Sequence, residues 1–140
     1  MTDTVRLCAV QAAPVLFDKQ ASLEAAINWI DEAAKEKPDI IAFGEAWLPG
    51  YPFFIDSPLS DTWWRAASEL LKNGVRLDGP EVVALRQAAK RAGADLVLGV
   101  NELDPQTDAT LYCTMLTIGR DGEILNRHRK LKPTHHERSV

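Results

Sequence analysis

Short apolar runs that alternate with amphipathic helical segments restrict the fold of this sequence more than any other feature. Three such runs predict short strands, at residues 5–11, 40–43 and 96–100. Apolar side chains at helical spacing predict helices at residues 20–37, 62–72 and 80–92. Strands separated by helices favour parallel neighbours that are joined by crossover connections. The sequence therefore predicts an α/β fold in which helices cover at least one face of a sheet.

The residues at the ends of these segments are typical of helix caps. Asp18 is expected to cap the first helix, and Asp61 the second. Gly93 is expected to end the third helix, because glycine adopts the left-handed conformation that closes many helices. The first strand is almost continuously apolar, so we expect it to be covered on both faces.

The pattern changes after residue 100. Residues 111–118 predict a longer strand, and residues 123–125 predict a returning strand. Asp121-Gly122 lies between them, and an Asp-Gly pair in that position indicates a hairpin. The sheet should therefore end in an antiparallel hairpin.

Charge and cysteine content narrow the classes of function. The net charge of −4 argues against nucleic-acid binding, which needs a basic surface. No apolar stretch approaches the roughly 20 residues that cross a bilayer, so no membrane association is predicted. Cys8 and Cys113 lie inside apolar runs and lack the density of a disulfide scaffold. We expect a cytoplasmic protein in which both thiols are inert core side chains.

Glu45 is the first candidate for chemistry because it directly follows the second strand. Sites in open α/β sheets collect at the carboxyl ends of strands. Burial there should raise the pKa of the carboxyl group and make it a candidate general base. A structural role stays open on position alone, since Glu45 could also cap a turn or pair with a lysine.

Lys130 is the second candidate. If the last strand continues to this residue, His128, Lys130 and Lys132 share one face. A lysine held inside a site can stabilise a developing anion. Spacing alone favours the alternative, a solvated basic edge strand.

Histidines near the end of the sequence do not predict a metal site. His135 and His136 are adjacent, so on regular secondary structure they point to different faces. No cysteine or aspartate completes a ligand set at a recognised spacing. We expect no metal.

Four ordered segments resemble one family, the nitrilase superfamily of carbon–nitrogen hydrolases. They are residues 5–15, the glutamate motif at residues 43–52, Asp78-Gly79-Pro80-Glu81, and the lysine motif at residues 128–134 with Glu137-Arg138. The lysine motif resembles the form found in the true nitrilase branch. Amidase and carbamoylase branches share its His-Arg-Lys core more than its Pro-Thr and Glu-Arg extension. The resemblance extends over essentially the whole chain.

The resemblance implies a Glu–Lys–Cys arrangement that hydrolyses a small-molecule nitrile to a carboxylic acid and ammonia. Glu45 would be the general base, Lys130 would stabilise tetrahedral intermediates, and Glu137 would position the substrate or the lysine. Tyr51 and Trp47, in the glutamate motif, would contact the substrate. No metal or organic cofactor is implied, and the complete protein is expected to be a homo-oligomer.

The resemblance also implies that residues 1–140 are the N-terminal part of a four-layer α-β-β-α sandwich. The cysteine of the family lies on a strand-to-helix elbow downstream of the lysine motif, so we expect a C-terminally truncated carbon–nitrogen hydrolase domain. The 140-residue chain alone is then expected to be inactive. Two alternatives stay open: an amidase or carbamoylase of the same superfamily, and a non-catalytic module that acts only in folding or assembly.

Overall fold

The predicted alternation of strands and helices is present in the computed structural model, which describes residues 4–134 and 137. The strands are β1 (Leu7–Ala9), β2 (Ile40–Ala42), β3 (Asp95–Leu103), β4 (Leu111–Ile118) and β5 (Ile124–Arg129). The helices are α1 (Lys19–Ala34), α2 (Asp61–Lys72) and α3 (Pro80–Ala92), with a 3-10 helix at Phe53–Asp56. These elements confirm the predicted α/β class.

The five strands form one sheet in the order in which they follow along the chain. β1, β2 and β3 are parallel, as expected for strands joined through helices. β3, β4 and β5 are antiparallel, so the hairpin predicted at the end of the sheet is confirmed. β5 is the edge strand on this side, and it immediately precedes Lys130.

The hydrophobic core lies between one face of the sheet and the pair α1 and α3. Leu96, Leu98 and Val100 of β3 point into it and are fully buried. They face a helical layer that includes Ile30 of α1 and Leu85 of α3. Burial of each such side chain contributes roughly 1.5–3 kcal/mol, so this layer fixes the position of the central strand. None of the helices among the described residues combines the length and apolar character needed to span a membrane.

The first strand is not covered on both faces, and that expectation is wrong. Cys8 packs against the core, whereas its neighbour Leu7 is 62 % exposed. The reason is that α1 and α3 pack on each other on the side to which Cys8 points. A continuous apolar run therefore predicted burial on both faces for a strand that is buried on only one face in this structure.

The helix ends agree with the sequence at two of three positions. The Asp18 carboxylate accepts a hydrogen bond from the Ala21 amide at 2.9 Å and caps α1. Gly93 closes α3 with a φ of 64°. The third prediction is wrong because Ser60 caps α2 and Asp61 is already its first residue. A carboxylate in that first turn still interacts favourably with the helix dipole.

Candidate active site

The turn that carries Glu45 lies directly on β3, at a point where that strand has a glycine. A Cβ atom on Gly99 would come within 2.4 Å of the Gly44 carbonyl oxygen and 2.5 Å of the Ala46 nitrogen. These are backbone atoms that no side-chain rotation can move away. The Leu48 amide donates to the Gly99 carbonyl at 3.1 Å and ties the same turn to the strand. Gly99 therefore allows the approach that places Glu45 at the end of the sheet.

Lys130 reaches Glu45 from the other side of the site. Its amide donates to the Cys113 carbonyl at 2.8 Å, so strand pairing continues one residue beyond β5. Its ammonium group donates to Glu45 Oε1 at 2.7 Å, to Thr134 Oγ1 at 2.9 Å and to Glu137 Oε1 at 3.2 Å. An ammonium group has three protons, and each has an acceptor here. The hydrogen bond to Glu45, followed by that to Glu137, raises the pKa of Lys130, so this side chain is a fixed cation.

Glu137 closes the cluster. Its side chain is only 8 % exposed, and it accepts from both the Lys130 ammonium and the Thr134 amide. Tyr51 lies against it: burial raises the pKa of the phenol, and the charge and hydrogen bonding of Glu137 raise it further. The structure thus brings together four of the predicted site residues, namely Glu45, Tyr51, Lys130 and Glu137.

The expectation that burial raises the pKa of Glu45 is wrong. The side chain is 52 % exposed, and the Lys130 hydrogen bond lowers its pKa more than partial burial raises it. A Cys113 hydrogen bond lowers it further. Glu45 is therefore ionised at neutral pH, as an ordinary glutamate would be, and its cationic neighbour stabilises the charged form further. A carboxylate in this state can accept a proton without first losing one.

Replacing Lys130 by methionine should raise the pKa of Glu45. The lowered pKa means that the pair stabilises the fold above pH ~4.3, the usual carboxyl value, and that this contribution is lost as pH falls through the lowered value. Carbon-13 NMR titration of the Glu45 carboxyl group measures the shift directly. An unchanged Glu45 titration in Lys130→Met would contradict the proposed pairing.

Cys113 is a member of the cluster that the sequence analysis missed. It lies on β4, and its Sγ is 3.5 Å from Glu45 Oε1, within hydrogen-bonding distance for a thiol donor. Burial, and then the negative charge of Glu45, raise the pKa of the thiol to about 12. A neutral S–H group that donates to Glu45 is therefore the state at physiological pH. The only available signal was the pairing of β3 with β4, which places Cys113 opposite Asn101, two residues beyond Gly99.

Alkylation of Cys113 should consequently be slow. At pH 8 a thiol with this pKa is about 10⁻⁴ ionised, and the greater nucleophilicity of a basic thiolate offsets only part of that deficit. We expect Cys113 to react with iodoacetamide on the order of 50-fold more slowly than N-acetylcysteine amide. Mass spectrometry of the peptide that contains Cys113 gives the rate. Glu45→Gln should accelerate it, and equal rates for Cys113 and the model thiol would show that the thiol is not held in this way.

The two aromatic residues predicted to contact substrate lie in different environments. Tyr51 is beside Glu137, in the charged cluster. Trp47 is 4 % exposed, donates its indole N–H to the Ala12 carbonyl at 2.8 Å and packs edge-on against Phe43. This placement favours a packing role for Trp47, under the turn that carries Glu45.

An open cavity of about 360 Å³ adjoins the charged cluster. Glu45 and Lys130 lie on its wall, together with His128 from the same face of β5. Most of the remaining lining is apolar, and includes Phe43, Val97, Met115 and Leu131. A largely apolar cavity with a few convergent polar groups is typical of small-molecule sites.

Within residues 4–134 and 137, no group of three or more histidine, cysteine or acidic side chains has metal-site geometry. His135 and His136 lie outside the described residues.

Comparisons with known proteins agree with these motifs. The carbon-nitrogen hydrolase family matches residues 6–140. The chain is 51 % identical over 134 residues to a protein named Nitrilase 2 from an unknown prokaryotic organism, covering 96 % of this chain and 43 % of the relative. It is 40 % identical over 141 residues to an aliphatic nitrilase of Rhodococcus rhodochrous, covering 99 % of this chain and 37 % of that protein. The chain thus spans about two-fifths of these relatives.

The fold agrees with a solved structure as well. Saccharomyces cerevisiae Nit3, described as a member of branch 10 of the nitrilase superfamily, matches with a TM-score of 0.69 and 26 % identity. The match covers 91 % of this chain and 44 % of Nit3. The family match, the relatives and the fold all lead to one assignment: the chain belongs to the carbon–nitrogen hydrolase family, within the nitrilase superfamily.

Proposed function

We propose that the complete protein hydrolyses a small-molecule nitrile to a carboxylic acid and ammonia, and that this chain supplies its general base and its cationic group. The observation that carries the proposal is the Lys130 ammonium, which bridges Glu45 at 2.7 Å and Glu137 at 3.1 Å. The names of the relatives support nitriles as the substrate class. Residues 1–140 would form the N-terminal part of one carbon–nitrogen hydrolase domain.

The nucleophile in this proposal is a cysteine outside these 140 residues. Glu45 takes its proton, the thiolate adds to the nitrile carbon, and the proton passes from Glu45 to the nitrile nitrogen to give a thioimidate. One water adds to the thioimidate carbon, and ammonia leaves to give a thioester. A second water releases the carboxylic acid and returns the proton to the cysteine. Two waters are consumed for each nitrile, and no redox step is needed.

Lys130 stabilises the tetrahedral species in both halves of the reaction. Glu45 and Glu137 hold its ammonium group as a cation on the wall of the cavity, so positive charge is already in place when negative charge develops. Glu137 holds the lysine from the buried side, and Tyr51 in turn contacts Glu137. The cavity beside the cluster would take the organic part of the nitrile.

Cys113 is not the nucleophile in this proposal, although it completes a Glu–Lys–Cys cluster within the chain. Its pKa of about 12 leaves almost no thiolate, and the middle of β4 does not present it at a sharp turn. The 140-residue chain alone should therefore be inactive. That the complete protein is a homo-oligomer and that it lies in the cytoplasm both stay predictions.

A chimera tests the proposal: this chain replaces the matching segment of the Nitrilase 2 relative, and ammonia release is measured with nitriles and the corresponding amides. The isolated chain is assayed in parallel, with its Cys8→Ala and Cys113→Ala variants. We expect the chimera to release ammonia from nitriles and the isolated chain to release none. Turnover of amides alone would favour the amidase alternative. Turnover by the isolated chain that survives both cysteine substitutions would refute the need for an external cysteine.

A further inference from the structure

A second buried carboxylate lies near the site, and the proposed chemistry does not use it. Glu102, near the end of β3, is 1 % exposed. Burial alone would raise its pKa, but hydrogen bonds from Arg129, Arg127 and Thr114 together lower it. Glu102 is therefore a buried anion, and its two cationic partners among the described residues are both on β5.

The two arginines hold this anion with several hydrogen bonds. Arg129 donates through Nη2 at 2.6 Å and through Nε at 3.2 Å, both to Glu102 Oε1. Arg127 donates through Nε to Oε2 at 3.0 Å and also contacts Oε1 through Nη2. The Thr114 hydroxyl of β4 donates to Oε2 at 2.7 Å. Such charge-assisted, forked contacts fix both distance and orientation.

These contacts matter because, in the part of the chain that the structure describes, β5 pairs with β4 on one side only and buries little apolar surface. It is an edge strand, and its apolar side chains Ile124 and Leu125 are 38 % and 60 % exposed. Side chains alternate along a strand, so Arg127 and Arg129 project to one face and His128 to the other. Lys130, which follows Arg129, lies on the same face as His128 and reaches the cavity there. Arg129 is further held over the Tyr112 ring, 3.6 Å from its centroid.

We propose that Glu102 is a positioning residue: its clamp on Arg127 and Arg129 fixes the register of β5 and so delivers Lys130 to Glu45. A slip of one residue turns every side chain of a strand to the opposite face. In that register Lys130 would point away from Glu45, and Arg129 would point into the cavity. The clamp on one face of β5 thus determines whether Lys130 or Arg129 points to the opposite face, where Glu45 lies. The importance of this for catalysis rests on the function proposed above, but the register itself does not.

The test is local and uses no nitrile. Amide hydrogen exchange at Lys130, whose amide donates to the Cys113 carbonyl, reports pairing of the strand end. Acetylation of the Lys130 side chain reports the contact with Glu45, since that hydrogen bond raises the pKa of the amine and slows the reaction. We expect Glu102→Gln to increase both rates at least ~10-fold, because one neutral acceptor cannot hold two guanidinium groups. Exchange at Leu98, in the β3 core, should change less than ~2-fold.

Two variants separate positioning from general stability. Glu102→Asp keeps the charge and should restore part of the wild-type protection at Lys130. Glu123→Gln removes an exposed ion pair with Arg86, just before the start of β5, and should leave both rates unchanged.

Three results would overturn the proposal. In the first, both Lys130 rates stay within 2-fold in Glu102→Gln. In the second, protection is lost equally at Lys130 and Leu98, which indicates global destabilisation only. In the third, the Lys130 amide of the unsubstituted chain already exchanges like an unstructured peptide. Failure of the chimera to hydrolyse nitriles would instead count against the proposed function. The exchange and acetylation rates at Lys130 do not depend on that result.

Discussion

Gly99→Ala should destabilise the chain by about 3 kcal/mol and displace Glu45 from Lys130. The added methyl carbon would lie 2.4–2.8 Å from three backbone atoms of the turn at residues 44–46, so the turn has to move as a unit. The Leu48 amide, which donates to the Gly99 carbonyl, would be pulled with it. Urea unfolding measures the loss of stability, and the carbon-13 titration of Glu45 measures the loss of the contact.

Gly44→Ala is the matched control for this experiment. It adds the same methyl group to the same turn, but no atom outside the adjacent residues lies within 4 Å of the new carbon. We expect a change within about 0.5 kcal/mol. Equal stability losses at the two glycines would show that close packing of the turn on β3 is not the cause.

Lys130→Met should lower the nitrile turnover number of the chimera at least ~100-fold. The substitution removes a cation that contacts both Glu45 and Glu137, so developing negative charge loses this stabiliser. It also leaves two carboxylates facing each other, which favours protonation of one of them. Steady-state ammonia release over a range of nitrile concentrations separates this loss from a change in KM.

Lys132→Met is the matched control for Lys130. It removes the same charge two residues later, from an exposed side chain that does not line the cavity beside Glu45. We expect turnover within 2-fold of the unsubstituted chimera. A comparable loss in both variants would show that general basicity of the segment, rather than the bridge between Glu45 and Glu137, is what matters.

Features of the fold that depend on local sequence were predicted correctly. The alternation of strands and helices, the Asp18 cap, the Gly93 helix end and the hairpin at Asp121-Gly122 each depend on a few neighbouring residues. Local preference failed at Ser60 and Asp61, where two adjacent residues are both good caps. Ser60, the residue before Asp61, is the cap, and no short-range sequence pattern distinguishes the two.

Features of the site that depend on register were not predicted. Cys113 reaches Glu45 only because of its position in the long β3–β4 pairing, and a cysteine in an apolar run otherwise resembles a core residue. The pKa of Glu45 had the wrong predicted direction because its cation, Lys130, is 85 residues away in sequence. The clamp between Glu102 and β5 was missed for the same reason. Family motifs identified Glu45, Lys130 and Glu137 without any knowledge of these contacts.

Glu45→Gln in the chimera tests most directly whether this cluster supplies the general base of a nitrilase. The amide keeps the shape of the side chain but is a far weaker base, so we expect turnover of nitriles to fall by about 10³-fold. Glu24→Gln, at an exposed site on α1, should leave turnover unchanged. Nitrile turnover by Glu45→Gln within a few-fold of the unsubstituted chimera would contradict the account.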